Sequence, residues 1–421
     1  MITKGKKILV ILYTFPPYPG VGGRRWAKFA KYLSKKEYTV HVICSENPFE
    51  ERSQWIKDVE DTNIRVHSLP VKYPKVMLHG VHSLMDKIRY RLWKIYFSLY
   101  SRGVIFERTM FWNKQLLKLA SVIIENEKIE NVIISIPPFR LATYALKLKE
   151  KFRGVNFIVD YRDPWTDNKS FHGFKDISDS RFIYEKELEG RVLCKADKII
   201  SVSEKMTEGL MARNLHQGEI ITIPNGYDPD DIQVGKENLV KSEKIKIVYA
   251  GTLYSDLEYV VLPFITYLDK LKQTNKTLHD RFSFEFYGNL NKELKDKLKL
   301  ANDGSISVFG SVSLNEMQEK LSNCSCCMLI TPPDYSVVFN TKFFEYLANR
   351  KPVLLFTYPC DASEFLVKNK LGFHINPDSL EKDMDTFFTT IDNVISGFNK
   401  DFDISRFSLP YLTSELEKMF K

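Results

Sequence analysis

The feature that most constrains this chain is an alternation of short β-branched runs with longer helix-like stretches, which occurs in two separate series. Such alternation is typical of parallel sheets covered by helices on both faces, because a parallel strand is usually reached through a helix. The first series predicts strands at residues 7–13, 39–44, 131–135, 155–160, 198–202 and 219–223, and helices at 24–33, 139–152, 181–196 and 204–213. The second series predicts strands at 245–250, 282–287, 305–309, 326–330 and 352–356, and helices at 259–272, 291–301, 314–322 and 341–349.

The two series meet at a turn-rich segment around Asn225, where Pro-Asn-Gly-Tyr-Asp-Pro-Asp-Asp is followed by a charged stretch to Lys244. This composition predicts a linker. The expected fold class is therefore α/β, with two doubly wound, Rossmann-like domains that face each other across a cleft at the carboxyl ends of their strands. Asp228 and Asp230 have an Asp-x-Asp spacing, but their position in the linker favours turn chemistry over metal binding.

Length and composition agree with this class and exclude several others. A chain of 421 residues suits two or three domains, and 44% apolar with 27% charged residues disfavours disorder, collagen-like repeats and coiled coils. No window reaches about 18 uncharged apolar residues, so no membrane-spanning helix is expected. Lys4, Lys6 and Lys7 lead directly into a strand and not into the apolar core of a signal peptide, which favours the cytoplasm.

The six cysteines do not form the pattern of a disulfide framework in a chain this long. Cys324, Cys326 and Cys327 cluster inside a hydrophobic run, but their spacing is not that of paired Cys-x-x-Cys zinc ligands. The sequence therefore predicts a reducing compartment and no metal site.

The loop after the first strand, residues 14–25, is rich in proline and glycine and ends in two arginines. Such a loop lets backbone amides approach an anion at a helix N-terminus, so Gly22, Gly23 and Arg24 are candidate ligands for a phosphate or a sugar. The glycines form Gly-x-Gly-Gly and no Walker Lys-Ser/Thr follows, so the pattern gives little support to a nicotinamide or ATP site. A tight turn without a ligand is the alternative interpretation.

Charged and aromatic residues follow the strand at 155–160 in the sequence Asp-Tyr-Arg-Asp-Pro-Trp-Thr-Asp. Residues at the carboxyl end of such a strand point toward the ligand side of the sheet. Asp160, Arg162 and Asp163 are candidate catalytic residues, since carboxylates can orient sugar hydroxyls or accept a proton and an arginine can bind phosphate. Trp165 is a candidate to stack on a sugar of the acceptor. The alternative is a structural Arg–Asp pair that closes the loop.

Two segments of the second series suit a diphosphate. Gly251 and Thr252 end a strand where the backbone can approach a ligand closely. The helix predicted at 341–349 can be capped by Asn340 or Thr341, and its free amides together with Lys342 can hold phosphate. Glu345 lies about one turn further on the same face, where it can accept hydrogen bonds from a ribose diol. The alternative is a capped helix with a surface Lys–Glu pair.

The net charge of +8 is unevenly distributed. Up to Glu237 the chain has 39 Lys and Arg against 29 Asp and Glu, a net charge of +10, and the remainder has 22 against 24, a net charge of −2. Residues 84–118 contain eight basic residues against two acids, interleaved with large apolar side chains, which is typical of an amphipathic surface on anionic lipid. Its candidate acceptor or membrane residues are Arg89, Arg91, Trp93 and Lys94.

Two other interpretations of this basic segment remain. Lysine and arginine stems can cover a protein core while their charged ends face water. Nucleic acid could also bind a basic surface, but no recognition motif accompanies the charge, so a nucleic-acid partner is not expected.

The motifs taken together resemble the GT-B glycosyltransferases, specifically glycosyltransferase family 4, over essentially the whole chain. The resemblance is carried by the Gly-rich first loop, Pro-Asn-Gly-Tyr-Asp at 224–228, Ala-Gly-Thr-Leu at 250–253, Val-Phe-Gly-Ser-Val at 308–312, and Lys-Phe-Phe-Glu-Tyr-Leu-Ala at 342–348 followed by Lys-Pro-Val at 351–353. The segment that begins at Asp160 is similar to one found in a branch of bacterial polysaccharide enzymes.

The resemblance implies an acceptor-binding domain at residues 1–225, a nucleotide-sugar-binding domain at 226–403, and a C-terminal helix within 404–421 that packs back on the first domain. It implies that Gly251 and Thr252 meet the diphosphate, that Gly310 and Val312 lie beside the base, and that Glu345 binds the ribose. The reaction would be retaining and would need no metal ion or other cofactor.

Two departures from the family pattern stand out. The paired glutamates of the family are eight residues apart, but Val337 stands eight residues before Glu345, so the first acid is absent. The loop after Gly251 also lacks the basic residue that often holds phosphate, and Lys342 and Arg24 are the candidates to replace it.

The resulting expectation is a glycosyltransferase at the inner face of the cell membrane that uses a nucleotide-sugar donor. Its acceptor would be lipid-linked or saccharide, in the assembly of a bacterial capsule, O-antigen or exopolysaccharide. A sugar-nucleotide epimerase with the same fold and a non-catalytic nucleotide-sugar-binding protein are the alternatives.

Overall fold

The computed structural model describes residues 6–100, 107–167, 177–232, 244–300, 304–332 and 339–421. The chain divides into two compact units. The first unit is Met1–Pro224 with Leu409–Lys421, and the second unit is Asn225–Ser408. Each unit contains one parallel sheet with helices packed against it, which confirms the predicted α/β class with two Rossmann-like domains.

The first unit is built on a sheet of seven parallel strands. The strands are β1 (Lys7–Ile11), β2 (Thr39–Ser45), β3 (Ile64–Leu69), β4 (Asn131–Ile136), β5 (Asn156–Tyr161), β6 (Lys198–Ser201) and β7 (Glu219–Thr222). They lie in the order β3-β2-β1-β4-β5-β6-β7. The helices of this part of the chain are α1 (Arg24–Ser34), α2 (Lys75–Leu78), α3 (Leu84–Tyr100), α4 (Asn113–Glu127), α5 (Arg140–Ala145), α6 (Leu148–Lys151), α7 (Asp179–Lys195) and α8 (Glu204–Ala212).

The second unit is built on a sheet of six parallel strands. The strands are β8 (Ile245–Ala250), β9 (Phe282–Tyr287), β10 (Ile306–Val308), β11 (Cys326–Ile330), β12 (Val353–Phe356) and β13 (Gly372–Ile375), in the order β10-β9-β8-β11-β12-β13. The helices are α9 (Glu258–Thr274), α10 (Lys276–His279), α11 (Lys292–Leu300), α12 (Leu314–Ser322), α13 (Thr341–Ala348), α14 (Asp361–Lys368) and α15 (Leu380–Ser396).

The chain then returns to the first unit with a last helix, α16 (Leu409–Glu417). Leu412 and Leu416 of this helix belong to the same buried cluster as Trp26 and Phe29 of α1. The side-chain amide of Asn156 in β5 donates to the carbonyl of Met419, 2.9 Å away. The C-terminal residues are therefore part of the core of the first unit.

The central strands are apolar on both faces because helices cover both sides of each sheet. In β11, Cys326 and Met328 pack into the cluster that contains Phe264 of α9. Cys327, the residue between them, packs on the opposite face with Phe343 of α13. This two-residue alternation fixes α13 against one face of the second sheet.

The structure differs from the predicted elements at the edges of the sheets. The strands β3 and β13 are absent from the prediction, and both are edge strands with a single neighbour. An edge strand is partly exposed and tolerates polar residues, so its sequence shows no apolar run. The helix predicted at 139–152 is two short helices, α5 and α6.

Two histidines lie side by side on neighbouring strands of the first sheet. His41 of β2 is buried, and its Nδ1 lies 3.2 Å from Nε2 of His67 on β3. Burial lowers the pKa of His41 to about 4, an effect that Glu127 opposes. Burial and the nearby Arg65 lower the pKa of His67 as well.

We expect the free energy of unfolding of the first unit to fall as the pH is lowered from 6.5 toward 4. The unfolded chain binds protons in this window that the folded His41 does not bind, so folding is progressively disfavoured. The difference between the ordinary value of 6.5 and about 4 corresponds to about 3 kcal/mol. All five tryptophans lie in this unit, so urea unfolding followed by tryptophan fluorescence at several pH values measures it.

The matched variant for this prediction is His41→Gln, which removes the buried imidazole. Its stability should depend less on pH than that of the wild type between 6.5 and 4. Equal pH dependence of the two proteins would show that other groups cause the acid sensitivity.

Candidate functional site

The carboxyl edge of the second sheet brings together residues predicted to bind the donor. Gly251 follows β8 directly, and its amide donates to the carbonyl of Tyr287, 2.9 Å away. A Cβ atom at Gly251 would collide with Nζ of Lys342, so the lysine ammonium lies directly against this glycine. The strand end and the first turn of α13 therefore meet at one point.

The ammonium of Lys342 is partly withdrawn from water. Desolvation lowers its pKa from the usual value of 10.5, and the nearby Glu345 opposes this effect. A partly desolvated cation attracts an anion more strongly than a cation in open solvent does. The predicted proximity of Gly251, Lys342 and Glu345 is thus present in the structure.

The start of α13 is capped as the sequence predicts. The side-chain oxygen of Asn340 accepts a hydrogen bond from the amide of Phe343 at 3.0 Å. Thr341 and Lys342 are the first two residues of the helix, where backbone amides point out of the N-terminus and the helix dipole favours negative charge. Asn340 is therefore a cap, and the positive end of α13 lies beside Gly251.

Two residues that support this site are not among the predicted ones. The hydroxyl of Tyr346 accepts from the amide of Ala250 at 3.2 Å and lies 3.4 Å from its carbonyl oxygen, which ties α13 to the end of β8. Gly288 has a φ of 118°, and a Cβ atom there would collide with the carbonyl oxygen of Gly251. A glycine directly after the predicted strand at 282–287 was the sequence signal for such a close approach.

The remaining predicted donor residues of this unit lie near the same edge. The carbonyl of Gly310 accepts from the amide of Gly288 at 3.1 Å, and the carbonyl of Thr252 accepts from the hydroxyl of Tyr249 at 2.9 Å. Val312 is partly buried and packs against the core cluster that contains Phe343. Val337, the position of the absent family glutamate, lies outside the described residues.

The Gly-rich loop of the first unit is held at the carboxyl edge of its own sheet. Gly22 lies against Thr14, where a Cβ atom would come within 2.7 Å of the threonine hydroxyl oxygen. A Cβ atom at Gly23 would come within 3.2 Å of the backbone of Thr14 and Phe15. Arg24 starts α1 and is buried. These contacts favour glycine at both positions for packing within the unit.

Arg162 connects the loops that follow three strands of the first sheet. Its guanidinium donates to the carbonyls of Gly22 and Pro137, and its Nε donates to the carbonyl of Ile136 at 3.3 Å. An arginine that satisfies several backbone carbonyls fixes the loops around it. The structure thus places Arg162 as a positioning residue for this edge.

Asp160 lies in the interior of the first unit, with no exposed surface. Its two oxygens accept from Nε1 of Trp26 at 2.7 Å, from the hydroxyl of Ser135 at 2.8 Å and from Nη2 of Arg25 at 3.3 Å. No substrate atom can touch a carboxylate enclosed in this way, so the contact with substrate predicted for Asp160 is absent from the structure. Asp163, three residues further, is partly exposed.

The structure contradicts the prediction that Trp165 lies on the acceptor surface. Its side chain is 1% exposed, its ring stacks on Phe139 at 5.0 Å, and its Nε1 donates to Glu185 at 2.9 Å. The apolar ring and the single N–H donor are both satisfied in the interior, which explains why a tryptophan next to a charged loop is not exposed.

The four residues named for the predicted basic surface all lie on α3, which forms the first part of the predicted segment 84–118; residues 101–106 of that segment lie outside the described residues. Arg89, Arg91 and Lys94 are exposed, whereas Trp93 is partly buried and packs on Phe97. Within the described ranges, no helix is long and apolar enough to cross a membrane.

The clustered cysteines lie in and just before β11. Sγ of Cys324 is 3.6 Å from Sγ of Cys327, and both residues are buried. Burial raises the pKa of the Cys326 thiol. Among the described residues, no group of three or more His, Cys, Asp or Glu side chains is arranged to hold a metal ion.

Comparison with known proteins agrees with this architecture. Residues 21–226 match the model of the glycosyl transferase 4-like domain. An uncharacterized glycosyltransferase of Methanocaldococcus jannaschii is 19% identical over 352 residues, which cover 76% of this chain and 79% of that protein.

Solved structures with a similar fold cover almost the whole chain. A sucrose-phosphate synthase from Thermosynechococcus elongatus has a TM-score of 0.68 at 12% identity and covers 98% of both chains. WaaG, a glycosyltransferase involved in lipopolysaccharide biosynthesis, has a TM-score of 0.59 at 14% identity and covers 97% of this chain and 99% of that one. The chain carries a glycosyl transferase 4-like domain and is a glycosyltransferase of the GT-B type.

Proposed function

We propose that this protein is a retaining, metal-independent glycosyltransferase that moves a sugar from a nucleotide-sugar donor to a lipid-linked or saccharide acceptor. The pathway we propose is the assembly of a bacterial surface polysaccharide, namely a capsule, an O-antigen or an exopolysaccharide. The observation that carries the proposal is the meeting of Gly251, Lys342 and the positive end of α13 at one edge of the second sheet.

This arrangement suits the leaving group of glycosyl transfer. Negative charge builds on the nucleotide diphosphate as the bond between sugar and phosphate breaks, and preorganised positive groups stabilise that charge. Lys342 supplies a full positive charge, the first turn of α13 supplies oriented amides, and Gly251 lets the diphosphate approach the backbone. Because these groups supply the positive charge, we propose that no metal ion is required.

Two further contacts orient the donor in this proposal. Glu345 lies on α13 next to Lys342 and accepts hydrogen bonds from the ribose hydroxyls. The exposed backbone near Gly310 meets the base. In a retaining reaction the leaving phosphate itself accepts the proton of the attacking hydroxyl, so no side chain in the second unit has to act as a base.

The acceptor belongs to the first unit in this proposal. Asp163 is the partly exposed acid of the 160–167 segment, and Arg162 fixes the loops around it. The fold shared with WaaG, which takes part in lipopolysaccharide biosynthesis, supports a surface-polysaccharide pathway. We further propose that the protein works in the cytoplasm at the inner face of the membrane, where such acceptors are assembled.

The experiment that tests this function begins with calorimetric titration of UDP, GDP and ADP, followed by incubation with sugar conjugates of the nucleotide that binds. Transfer should release the nucleoside diphosphate only when acceptor is present, and EDTA should leave the rate unchanged. An epimerised sugar nucleotide formed without acceptor would instead identify an epimerase. Binding of nucleotide without turnover of any conjugate would identify a non-catalytic protein.

Replacement of Asp163 by Asn should lower turnover at least tenfold and change the affinity for the nucleotide less than twofold, because the lost carboxylate positions the acceptor and not the donor. Initial rates and calorimetry on the same preparation measure the two effects. The matched control is Asp167→Asn, which removes an exposed acid paired with Arg213 at 2.7 Å. Unchanged turnover in Asp163→Asn would contradict the role of this carboxylate.

A further inference from the structure

Helix α3 presents an apolar face to solvent in addition to the face it buries. Its inner residues Asp86, Tyr90, Trp93 and Phe97 follow a helical spacing and include the most buried side chain of the helix. Phe97 is fully buried and stacks on Tyr73 at 5.3 Å. The inner face alone therefore accounts for the packing of α3 on the first unit.

The outward apolar face consists of residues three or four positions apart. Its members are Leu84, Ile88, Leu92, Ile95 and Leu99. They are 53% to 80% exposed, and the exposed Met85 and Tyr96 widen the same face. Because residues at this spacing share one side of a helix, they form a continuous apolar stripe that points away from the inner residues. A continuous exposed apolar face with a polar rim marks a site that contacts a membrane or another protein.

Basic side chains border this stripe on both sides. At 100° per residue, Lys87, Arg91 and Lys94 lie along one border and Arg89 lies along the other, and all four are exposed. The one acid of the helix, Asp86, lies in its first turn and accepts from the amide of His82 at 3.3 Å. The charge around the stripe is thus positive on both sides.

The positive charge on both sides of the stripe indicates which partner the stripe contacts. A second copy of α3 placed on the stripe would bring basic borders together without acids to pair them, which disfavours self-association. The headgroups of an anionic bilayer would neutralise both borders while the acyl region receives the stripe. We propose that α3 lies in the plane of an anionic membrane, with its outward stripe inserted below the headgroups.

The packing behind α3 connects this membrane contact to the candidate acceptor edge. The inner face of the helix packs in one cluster with Met110 and Phe111. In the same segment, Arg108 donates to the hydroxyl of Tyr18 at 3.2 Å, and Trp112 packs on Tyr13 at a ring distance of 5.2 Å. A membrane-bound α3 therefore holds the loop after β1 close to the bilayer.

From this connection we infer that the acceptor is a lipid-borne saccharide and not a soluble one. This part of the inference rests on the proposed glycosyl transfer, whereas the bilayer contact of α3 does not.

The bilayer contact is tested by sedimentation with vesicles of phosphatidylcholine, with and without phosphatidylglycerol, in the absence of donor. The wild type should bind the anionic vesicles more strongly, and binding should weaken with salt and about fivefold on loss of one basic side chain, as in Arg91→Ala. Leu92→Glu should lower binding at least tenfold without changing thermal unfolding, because Leu92 is 62% exposed. The control Val367→Glu, at a residue 57% exposed on α14, should bind like the wild type.

Two results would overturn the bilayer contact. One is equal vesicle binding by Leu92→Glu and the wild type. The other is a wild-type dimer in lipid-free sedimentation equilibrium that Leu92→Glu converts to a monomer, since this would show a second copy on the stripe.

The acceptor class is tested with labelled nucleotide sugar and vesicles made from membrane lipids of the source cells. Label should enter the organic-soluble fraction, and Leu92→Glu should reduce this incorporation while leaving nucleotide affinity unchanged. Label found only in water-soluble saccharide would overturn the lipid-borne acceptor. Absence of nucleotide release with every donor and acceptor would instead refute the proposed transfer, and the vesicle-binding result would be unaffected.

Discussion

Lys342→Met should lower kcat/KM for the donor by about 10²- to 10³-fold, the range seen when one preorganised electrostatic stabiliser of a transition state is removed. The reason is the position of the ammonium, which lies against Gly251 and beside the start of α13. Steady-state rates with the preferred nucleotide sugar measure this effect.

The same substitution should not destabilise the fold. Desolvation lowers the pKa of Lys342, which means that the folded protein holds the charged form less favourably than the unfolded chain does. Replacing the charge by an apolar side chain of similar length removes this penalty, so the thermal midpoint should stay equal or rise. Lower activity together with equal or higher stability distinguishes a functional lysine from a structural one.

A matched control is Lys351→Met, which removes a partly buried lysine just after α13 in the same unit. It should keep wild-type kinetics. A Lys342→Met enzyme with wild-type turnover would remove this ammonium from the mechanism.

Two glycine variants separate the ammonium from the backbone that surrounds it. Gly251→Ala adds a methyl group where Nζ of Lys342 lies, and the flexible end of the lysine can move away, so donor turnover should fall while the fold persists. Gly288→Ala adds a methyl group against the carbonyl of Gly251 at a φ of 118°, where neither the backbone nor the side chain can adjust, so it should destabilise the second unit.

The residues of the candidate site in the second unit could be placed together from the sequence because each of them lies at the end of a well-defined element. The strand Ile245–Ala250 has the predicted bounds, and the Asn340 cap sets the start of α13. When a strand end and a helix start are both known, the carboxyl edge of a parallel sheet determines that Gly251 and Lys342 face the same side. The contact of Tyr346 with Ala250 could not be predicted, because it depends on the rotamer of the tyrosine and on the distance between α13 and β8, and the sequence gives neither.

The first-unit site was harder to predict because burial there depends on residues far apart in the chain. Asp160 and Asp163 belong to one charged segment, yet only Asp160 is enclosed, by Trp26 and Ser135. These partners are 134 and 25 residues away in sequence. The same holds for Trp165, whose burial depends on Phe139 and on a glutamate of α7. Local pattern indicates which segment matters, whereas tertiary contacts determine which of its side chains reach the surface.

Residues 84–118 are a second case in which the sequence pattern identified a segment but not which of its side chains are exposed. The composition indicated a basic and apolar surface, but it did not assign residues to sides of the helix. Trp93 proved to belong to the inner face of α3, and the outward face is aliphatic. The inner face of this helix is largely aromatic and the outward face is aliphatic, so the usual contrast between an apolar and a polar face is weak along its sequence.

Asp160→Ala should lower the free energy of unfolding of the first unit by about 3–5 kcal/mol, the range for removing one partner of a buried charge pair. The substitution leaves three donors without their acceptor, on Arg25, Trp26 and Ser135. Arg25 also donates to the carbonyls of Ile223 and Pro224. Displacement of Arg25 should therefore weaken the attachment of these two residues, which end the Met1–Pro224 part of the first unit. Asp160→Asn should cost less, because the amide retains one acceptor oxygen.

Urea unfolding followed by tryptophan fluorescence isolates this effect, because all five tryptophans lie in the first unit and the second unit is silent in the measurement. Asp163→Ala is the matched control, since it removes a partly exposed acid from the same segment and should cost less than about 1 kcal/mol. The two acids should thus differ in effect, because stability depends on Asp160 and turnover depends on Asp163. An Asp160→Ala variant that kept wild-type stability but lost turnover would contradict this prediction. It would show that the carboxylate becomes accessible to substrate during catalysis, in a conformation that differs from the enclosed one.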